Sequence, residues 1–235
     1  TCSPVREVFH LYGYFPASHP VVRKRRKFQV ITGAAFFIPR KLFFECDGFY
    51  ELYKNGFEDV DLCVQIIAKD KKITVIPESI VFHLTSQTPG RHQYEDQNSF
   101  LFTRRYRRKL VPDMHRYYLE DGYDFELTYF LNILPKLSEE KLKILYQDKS
   151  DGFDYDWYMQ KLAMELFWWQ GYKELWNYWV KAEAWENAAE VVFRAIQFFP
   201  VEVLLTKLEF LIKKIQIELL REKGVHPPVA GNHQF

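Results

Sequence analysis

The chain has 235 residues, 48% hydrophobic and 27% charged, with a formal net charge of +1. That composition belongs to a soluble globular protein with room for one large core or two modest ones. No apolar run approaches the roughly 20 residues that a bilayer-crossing helix needs. Cys2, Cys46 and Cys63 are too few and too scattered for a disulfide framework and form no C-x-x-C pair, which predicts a reducing, cytoplasmic setting.

Residues 1–30 show no helical period. Val8–Tyr12 predicts a strand, and Phe15-Pro16 and His19-Pro20 predict an irregular loop after it. Arg6, Glu7 and His10 interrupt the apolar residues of Val5–Tyr14, so this is no signal peptide. With Thr1 at its start, the chain reads as a piece of a longer protein. Arg23–Lys27 are five consecutive bases, either a solvated loop or a contact to a phosphate or an anionic lipid surface. No nucleic-acid motif accompanies them or the later run Arg104–Lys109, so a nucleic-acid partner is not expected.

The stretch from Ile31 to His83 organises the rest. Thr32-Gly33-Ala34 is a small-residue turn between apolar runs, where glycine permits a tight bend or a close approach. Asp47-Gly48-Phe49 is a second turn, and Glu58-Asp59-Val60-Asp61 is an acidic cluster. That cluster opens a helical pattern, with Val60, Val64, Ile67 and Ala68 at helical spacing. Acids in a first helical turn are favoured by the free N–H groups and the helix dipole. Ile73–Ile76 and Ile80–Phe82 then predict two short strands, and His83 follows the second.

In order and spacing these pieces resemble the C-terminal half of the catalytic domain in family 2 glycosyltransferases of the GT-A fold. The pattern there is T-G-A, an apolar run, G-G-F-D-E, E-D-x-D-L, and a strand ending P-x-x-x-V-x-H. Here the matching residues are Thr32-Gly33-Ala34, Asp47-Gly48-Phe49-Tyr50-Glu51, Glu58-Asp59-Val60-Asp61-Leu62, and Pro77 to His83. Asp47 stands where the family has a glycine, and Tyr50 where it has an aspartate. The resemblance covers about residues 20–108.

The resemblance implies an α/β fold, with a GT-A-like mixed sheet in residues 1–110, and an inverting, nucleotide-sugar-dependent glycosyltransferase. Asp59 would be the general base, Glu58 would orient the acceptor or a neighbouring backbone group, and Asp61 would be a structural acid. Thr32, Gly33 and Ala34 would border the substrate, and Arg91, in the loop after His83, would meet the donor diphosphate. His83 would hold a divalent metal, Mn or Mg. The acceptor would be a glycan, a lipid-linked sugar or a protein. No D-x-D precedes Gly33, and that segment is too short for nucleotide-binding strands, so residues 1–235 alone are expected to bind nucleotide-sugars weakly.

Val111-Pro112-Asp113 reads as a break, and residues 111–235 are expected to form an all-helical domain, helical from about Tyr123. Ser138 followed by Glu139-Glu140 predicts an N-cap. Further helices are predicted at about 155–169, 171–181, 185–198 and 201–221. All six tryptophans follow residue 156. Leu175, Ala188, Ala195 and Pro200 match tetratricopeptide spacing, with Trp176 where that repeat takes a small residue. With one such unit, the expectation is a helical subdomain that buries its tryptophans. The alternative to an enzyme is a non-catalytic protein-interaction module, carrying its partner on the helical domain beside a degenerate transferase remnant. Membrane association, if any, would be peripheral and through the basic run.

Overall fold

The computed structural model describes residues 1–82, 90–106, 109–199 and 202–222. It is a mixed α/β structure whose contacts divide it into two units. The first is Thr1–Asp121 with Leu127–Ile133, and the second is Gly122–Glu126 with the residues from Leu134 onward. No described helix is long and apolar enough to cross a membrane.

In the first unit, β1 (Lys27–Phe28) is followed by α1 (Arg40–Glu45), α2 (Glu58–Ala68) and β2 (Ile73–Thr74). A 3-10 turn at Arg91–Tyr94 then leads into α3 (Glu95–Tyr106), and α4 (Met114–Glu120) closes the unit. β1 and β2 pair antiparallel, with Lys27 opposite Thr74 and Phe28 opposite Ile73. The expected mixed sheet is reduced, among the described residues, to this pair and a single Cys2–Val8 bridge. Val8–Tyr12 and Ile80–Phe82 have strand composition but form no strand. β-propensity is realised only against a neighbouring strand, and Ile80, Val81 and Phe82 stand exposed.

α2 supplies the core. Leu62, Cys63, Val64 and Ile66 are buried with Val30, Tyr53, Ile73 and Phe102. Each such aliphatic side chain contributes about 1.5–3 kcal/mol by leaving water. All three cysteines are buried free thiols. Burial raises the pKa of each, that of Cys63 to about 11, so none is poised as a nucleophile.

Residues 111–121 belong to this unit because polar groups bind them to its N-terminal part. Asp113 accepts from the Cys2 N–H at 2.7 Å and from Gln29 at 2.6 Å, and Tyr117 donates to the Lys27 carbonyl at 2.7 Å. The Asp121 side chain is wholly buried and accepts from Lys24 at 2.5 Å, from Arg26 and from the Tyr12 hydroxyl. The basic run is therefore divided. Arg26 is largely buried against Asp121 while Arg25 is exposed beside Glu78.

Burial alone would raise the Asp121 pKa, but the hydrogen bonds from Arg26, Lys24 and Tyr12 hold it below its ordinary 3.8. A depressed carboxyl pKa contributes stability that is present above the unfolded value and lost as pH falls through the folded one. Acid unfolding of the first unit should therefore set in below about pH 4, and Asp121→Asn should flatten that part of the profile. Circular dichroism against pH checks this. Identical acid limbs would remove Asp121 from the stability of the unit.

β3 (Tyr123–Leu127) and β4 (Ile133–Leu137) form a hairpin where helix was expected. Tyr123, Phe125 and Leu127 alternate with Asp124 and Glu126, a period of two. Pro135 in the returning strand cannot continue a helix. Thr128 and Asn132 close the turn at 2.9 Å, and Lys136 meets Glu126 across the strands at 2.7 Å.

From Leu134 the second unit continues with α5 (Glu139–Leu145), α6 (Tyr155–Met164), α7 (Trp169–Lys181), α8 (Trp185–Ile196) and α9 (Glu202–Glu222). Ser138 caps α5 by accepting from the Lys141 N–H at 3.3 Å, and Asp154 caps α6 through Trp157 at 3.1 Å. Between Tyr155 and Glu222 the described residues contain no strand. α7 packs on α8 and α8 on α9. Ala188 and Ala195, both fully buried, have the small side chains that close packing on α8 requires. Trp168 and Trp176 are buried, and the other four tryptophans are half-buried, so they serve mainly as core.

Gly171 lies in the first turn of α7, where a Cβ would fall 2.2 Å from the Trp168 ring. Glycine-to-alanine within a helix ordinarily stabilises by about 1 kcal/mol. Here the clash reverses the sign, and Gly171→Ala should destabilise the second unit by about 1–3 kcal/mol, the usual cost of overpacking. A raised unfolding midpoint in urea would contradict this.

Candidate functional site

The acidic cluster is launched from an unusual turn. Asn55, Gly56 and Phe57 have consecutive positive φ values of 57°, 144° and 74°. A left-handed phenylalanine is disfavoured and persists only where its surroundings impose it. Asn98 on α3 supplies that restraint. Its amide accepts from the Lys54 N–H at 3.1 Å and donates to the Lys54 and Gly56 carbonyls at 2.9 and 3.0 Å. Glu58 adds another tie, accepting from the Gly56 N–H at 2.8 Å.

Asp59 is the next residue, the second of α2, and lies half-buried in its first turn. One of its oxygens accepts from the Gly33 N–H at 2.6 Å, and the other from the Val60 N–H at 2.8 Å. The Gly33 bond joins the small-residue turn to the acidic cluster across 26 residues of sequence. It also explains the glycine, because a Cβ on Gly33 would lie 2.9 Å from that of Asp59. Thr32 accepts from the Ala34 N–H at 3.3 Å and so shapes the same turn. Asp59 and Thr32 border a cavity of about 410 Å³, along with Lys24 and Arg26. A carboxylate held by two N–H groups still has lone pairs to offer, so at a cavity wall it can accept a proton from a bound hydroxyl.

Asp61 has a different setting. It is fully buried and accepts from Tyr53 at 2.9 Å, Gln65 at 2.7 Å, Tyr106 at 2.8 Å and the Arg105 Nε at 2.8 Å. Burial, and then the hydrogen bond to Asp61, push the Tyr53 hydroxyl far above its usual pKa of 10. Burial would lower the Arg105 pKa, but its hydrogen bonds to Asp61 and Tyr106 outweigh this and the net shift is upward. With its lone pairs engaged and no access to solvent, Asp61 is a structural acid.

The two departures from the family pattern have local explanations. Asp47 adopts a left-handed φ of 56°, a conformation glycine takes freely and aspartate tolerates. Gly48 keeps its glycine because φ is +67° and a Cβ would press on the Phe43 ring at 3.2 Å. Tyr50 lies with its ring 3.6 Å from the Arg105 guanidinium, so it supports the residue that pairs with Asp61.

The structure thus brings together Thr32, Gly33, Ala34 and Asp59, with Glu58 alongside but turned to Gly56. Arg91 opens the 3-10 turn before α3. His83 lies outside the described residues. Among the described residues no group of three or more His, Cys, Asp or Glu side chains could hold a metal ion.

No family model, curated protein or solved structure matches the chain. The site therefore rests on its own residues. Asn98, Tyr53, Arg105 and Tyr106, which hold the acidic cluster from α3 and the preceding loop, were not among the predicted site residues. Their partners lie 8–45 positions away, and no local pattern announces them.

Proposed function

We propose that this chain carries the C-terminal half of the catalytic domain of an inverting glycosyltransferase of the family 2, GT-A type. Asp59 would be its general base. The observation that carries this reading is the 2.6 Å hydrogen bond from the Gly33 N–H to the Asp59 carboxylate. It unites two of the motifs at the wall of one cavity, where a base and a close-approach turn would both be needed.

In the reaction, the acceptor hydroxyl oxygen forms a bond to the anomeric carbon as the bond to the donor diphosphate breaks. The nucleoside diphosphate leaves with the electron pair, Asp59 takes the hydroxyl proton, and attack from the opposite face inverts the anomer. Thr32 lines the cavity, the Gly33 N–H aims the base, and the Ala34 N–H holds the Thr32 hydroxyl. A divalent cation, Mn or Mg, would neutralise the leaving diphosphate, and His83 is the ligand that the family resemblance implies. Arg91 is proposed for the same diphosphate. The donor is a nucleotide-sugar, and the acceptor a glycan, a lipid-linked sugar or a protein. The proposed setting is cytoplasmic, with any membrane contact peripheral.

A second reading has its own support. The same two N–H bonds would also hold Asp59 as a purely structural acid tying the Gly33 turn to α2, as a non-catalytic scaffold with a protein-binding helical unit would retain. Sugar transfer by the full-length protein, wild type against Asp59→Asn, decides between the two.

A further inference from the structure

Within the second unit a groove of about 620 Å³ runs between α7 and α9, lined by Val180, Val203, Thr206, Lys207 and Phe210. Two seven-residue series share this face of α9. Val203, Phe210 and Ile217 form the apolar one, and Lys207, Lys214 and Arg221, each four residues later, form the basic one. Val203 and Phe210 are 63% and 49% exposed. The lysines are held over aromatic rings. Lys207 Nζ lies 4.8 Å from the Trp176 ring of α7, and Lys214 Nζ lies 5.3 Å from the Trp185 ring and 5.4 Å from that of Phe210.

The charge on this face is unbalanced. Among the described residues the ion pairs of the second unit are Lys136–Glu126, Lys141–Glu165 and Lys161–Asp148, and none involves Lys173, Lys207 or Lys214. Burial, and then the like charge of Lys173 on α7, lower the Lys207 pKa. Glu218, one turn beyond Lys214, shares the lysine face, and Glu186 is next to Trp185, but neither pairs with Lys214. Glu209 and Glu202 are two and five positions from Lys207, so the helix turns both positions away from that face.

We propose that this groove docks an acidic segment of a partner protein, in which carboxylates alternate with apolar side chains. Carboxylates would meet Lys207 and Lys214, which the ring faces already hold in place, so little side-chain freedom is lost on binding. Apolar side chains would fill the space beside Val180, Val203 and Phe210. The unpaired lysines steer an acidic partner in and reject a basic one, since like charges brought together suppress the wrong partner. A flat lipid surface would meet the ridges of the two helices rather than the groove between them. The proposal does not depend on the role of Asp59, because a transferase and a scaffold could each carry such a partner.

The test is to pan a random dodecapeptide display library on the full chain and to measure the enriched peptides by fluorescence anisotropy. Enriched peptides should combine Asp or Glu with Leu, Ile, Val or Phe. Lys207→Glu together with Lys214→Glu should weaken their binding at least about tenfold. Thr206→Trp, which fills the groove from an exposed position without changing charge, should do the same. Lys143→Glu, a charge reversal on α5, should bind nearly as wild type does. Melting curves confirm that each variant is folded. Overturning results are no enriched peptide, enrichment of basic or uncharged peptides, or binding indifferent to the lysine pair and to the tryptophan. Displacement of the peptide by phosphatidylserine vesicles or by a DNA oligonucleotide at equal charge would assign the groove to lipid or nucleic acid and also overturn it. Asp59→Asn should bind peptide like wild type, so a failure of sugar transfer leaves the groove standing. Loss of peptide selectivity with transfer intact would remove the groove alone.

Discussion

Asp59→Asn should lower the rate of sugar transfer by about 10²–10⁴-fold, the usual contribution of a positioned general base. The substitution keeps the side chain's size but removes its capacity to take a proton. Donor affinity should change little, because the base acts on the acceptor hydroxyl and its effect is realised in the transition state. A structural consequence accompanies the kinetic one. The asparagine oxygen can replace only one of the two acceptors that now meet Gly33 and Val60. Turning an amide NH2 toward the other N–H costs about 1–2 kcal/mol. The rate loss is therefore read at a temperature where both proteins are folded. A loss of stability with no change in rate per folded molecule would leave Asp59 as a structural acid.

Asp61→Asn should show the opposite division, a stability loss of about 3 kcal/mol with turnover per folded molecule little changed. The carboxylate is the common acceptor of Tyr53, Gln65, Tyr106 and Arg105. An amide in its place points donors at donors and leaves the guanidinium without its counter-charge. Removing one partner of a buried pair costs about 3–5 kcal/mol. The lower figure applies because the Arg105 side chain is 29% exposed and can recover some hydration. Urea unfolding measures the loss. An unchanged midpoint would mean that the network around Asp61 contributes nothing net.

The sequence announces local features well and long-range ones poorly. The helix over Glu58–Ala68 is visible in the spacing of Val60, Val64 and Ile67 and in its leading acids. The cap at Ser138 follows from such a local signal, and α7, α8 and α9 start within about two residues of their expected positions, α7 and α8 without a side-chain cap. The hairpin at Tyr123–Leu137 shows the alternation of a strand over only five residues, and the helical patterns on its C-terminal side outweigh so short a signal. The sheet was overestimated for a physical reason. Ile80–Phe82 has the composition of a strand, but composition does not provide the neighbour that a strand pairs with.

At the site, the order of motifs points to Gly33 and Asp59 together, and the 2.6 Å contact gives that order a geometric basis. The distinct surroundings of Asp59 and Asp61 are only partly legible. Both lie in the first turn of one helix, two positions apart, so they face different sides of it. Which side is core and which is cavity depends on Arg105 and Tyr106, more than forty residues away. The strain at Asn55–Phe57 is likewise invisible in sequence, since only Gly56 hints at it.

The central claim is that Asp59 and the Gly33 turn form the acceptor side of a sugar-transfer site. The most direct measurement is NMR of the reaction product, made with the full-length protein, a panel of nucleotide-sugar donors, a panel of glycan, lipid-linked and protein acceptors, and Mn. The predicted result is a new glycosidic linkage whose anomeric configuration is inverted relative to the donor, formed by wild type and nearly absent with Asp59→Asn. An absence of product with every donor, a retained anomer, or equal product from Asp59→Asn would contradict it.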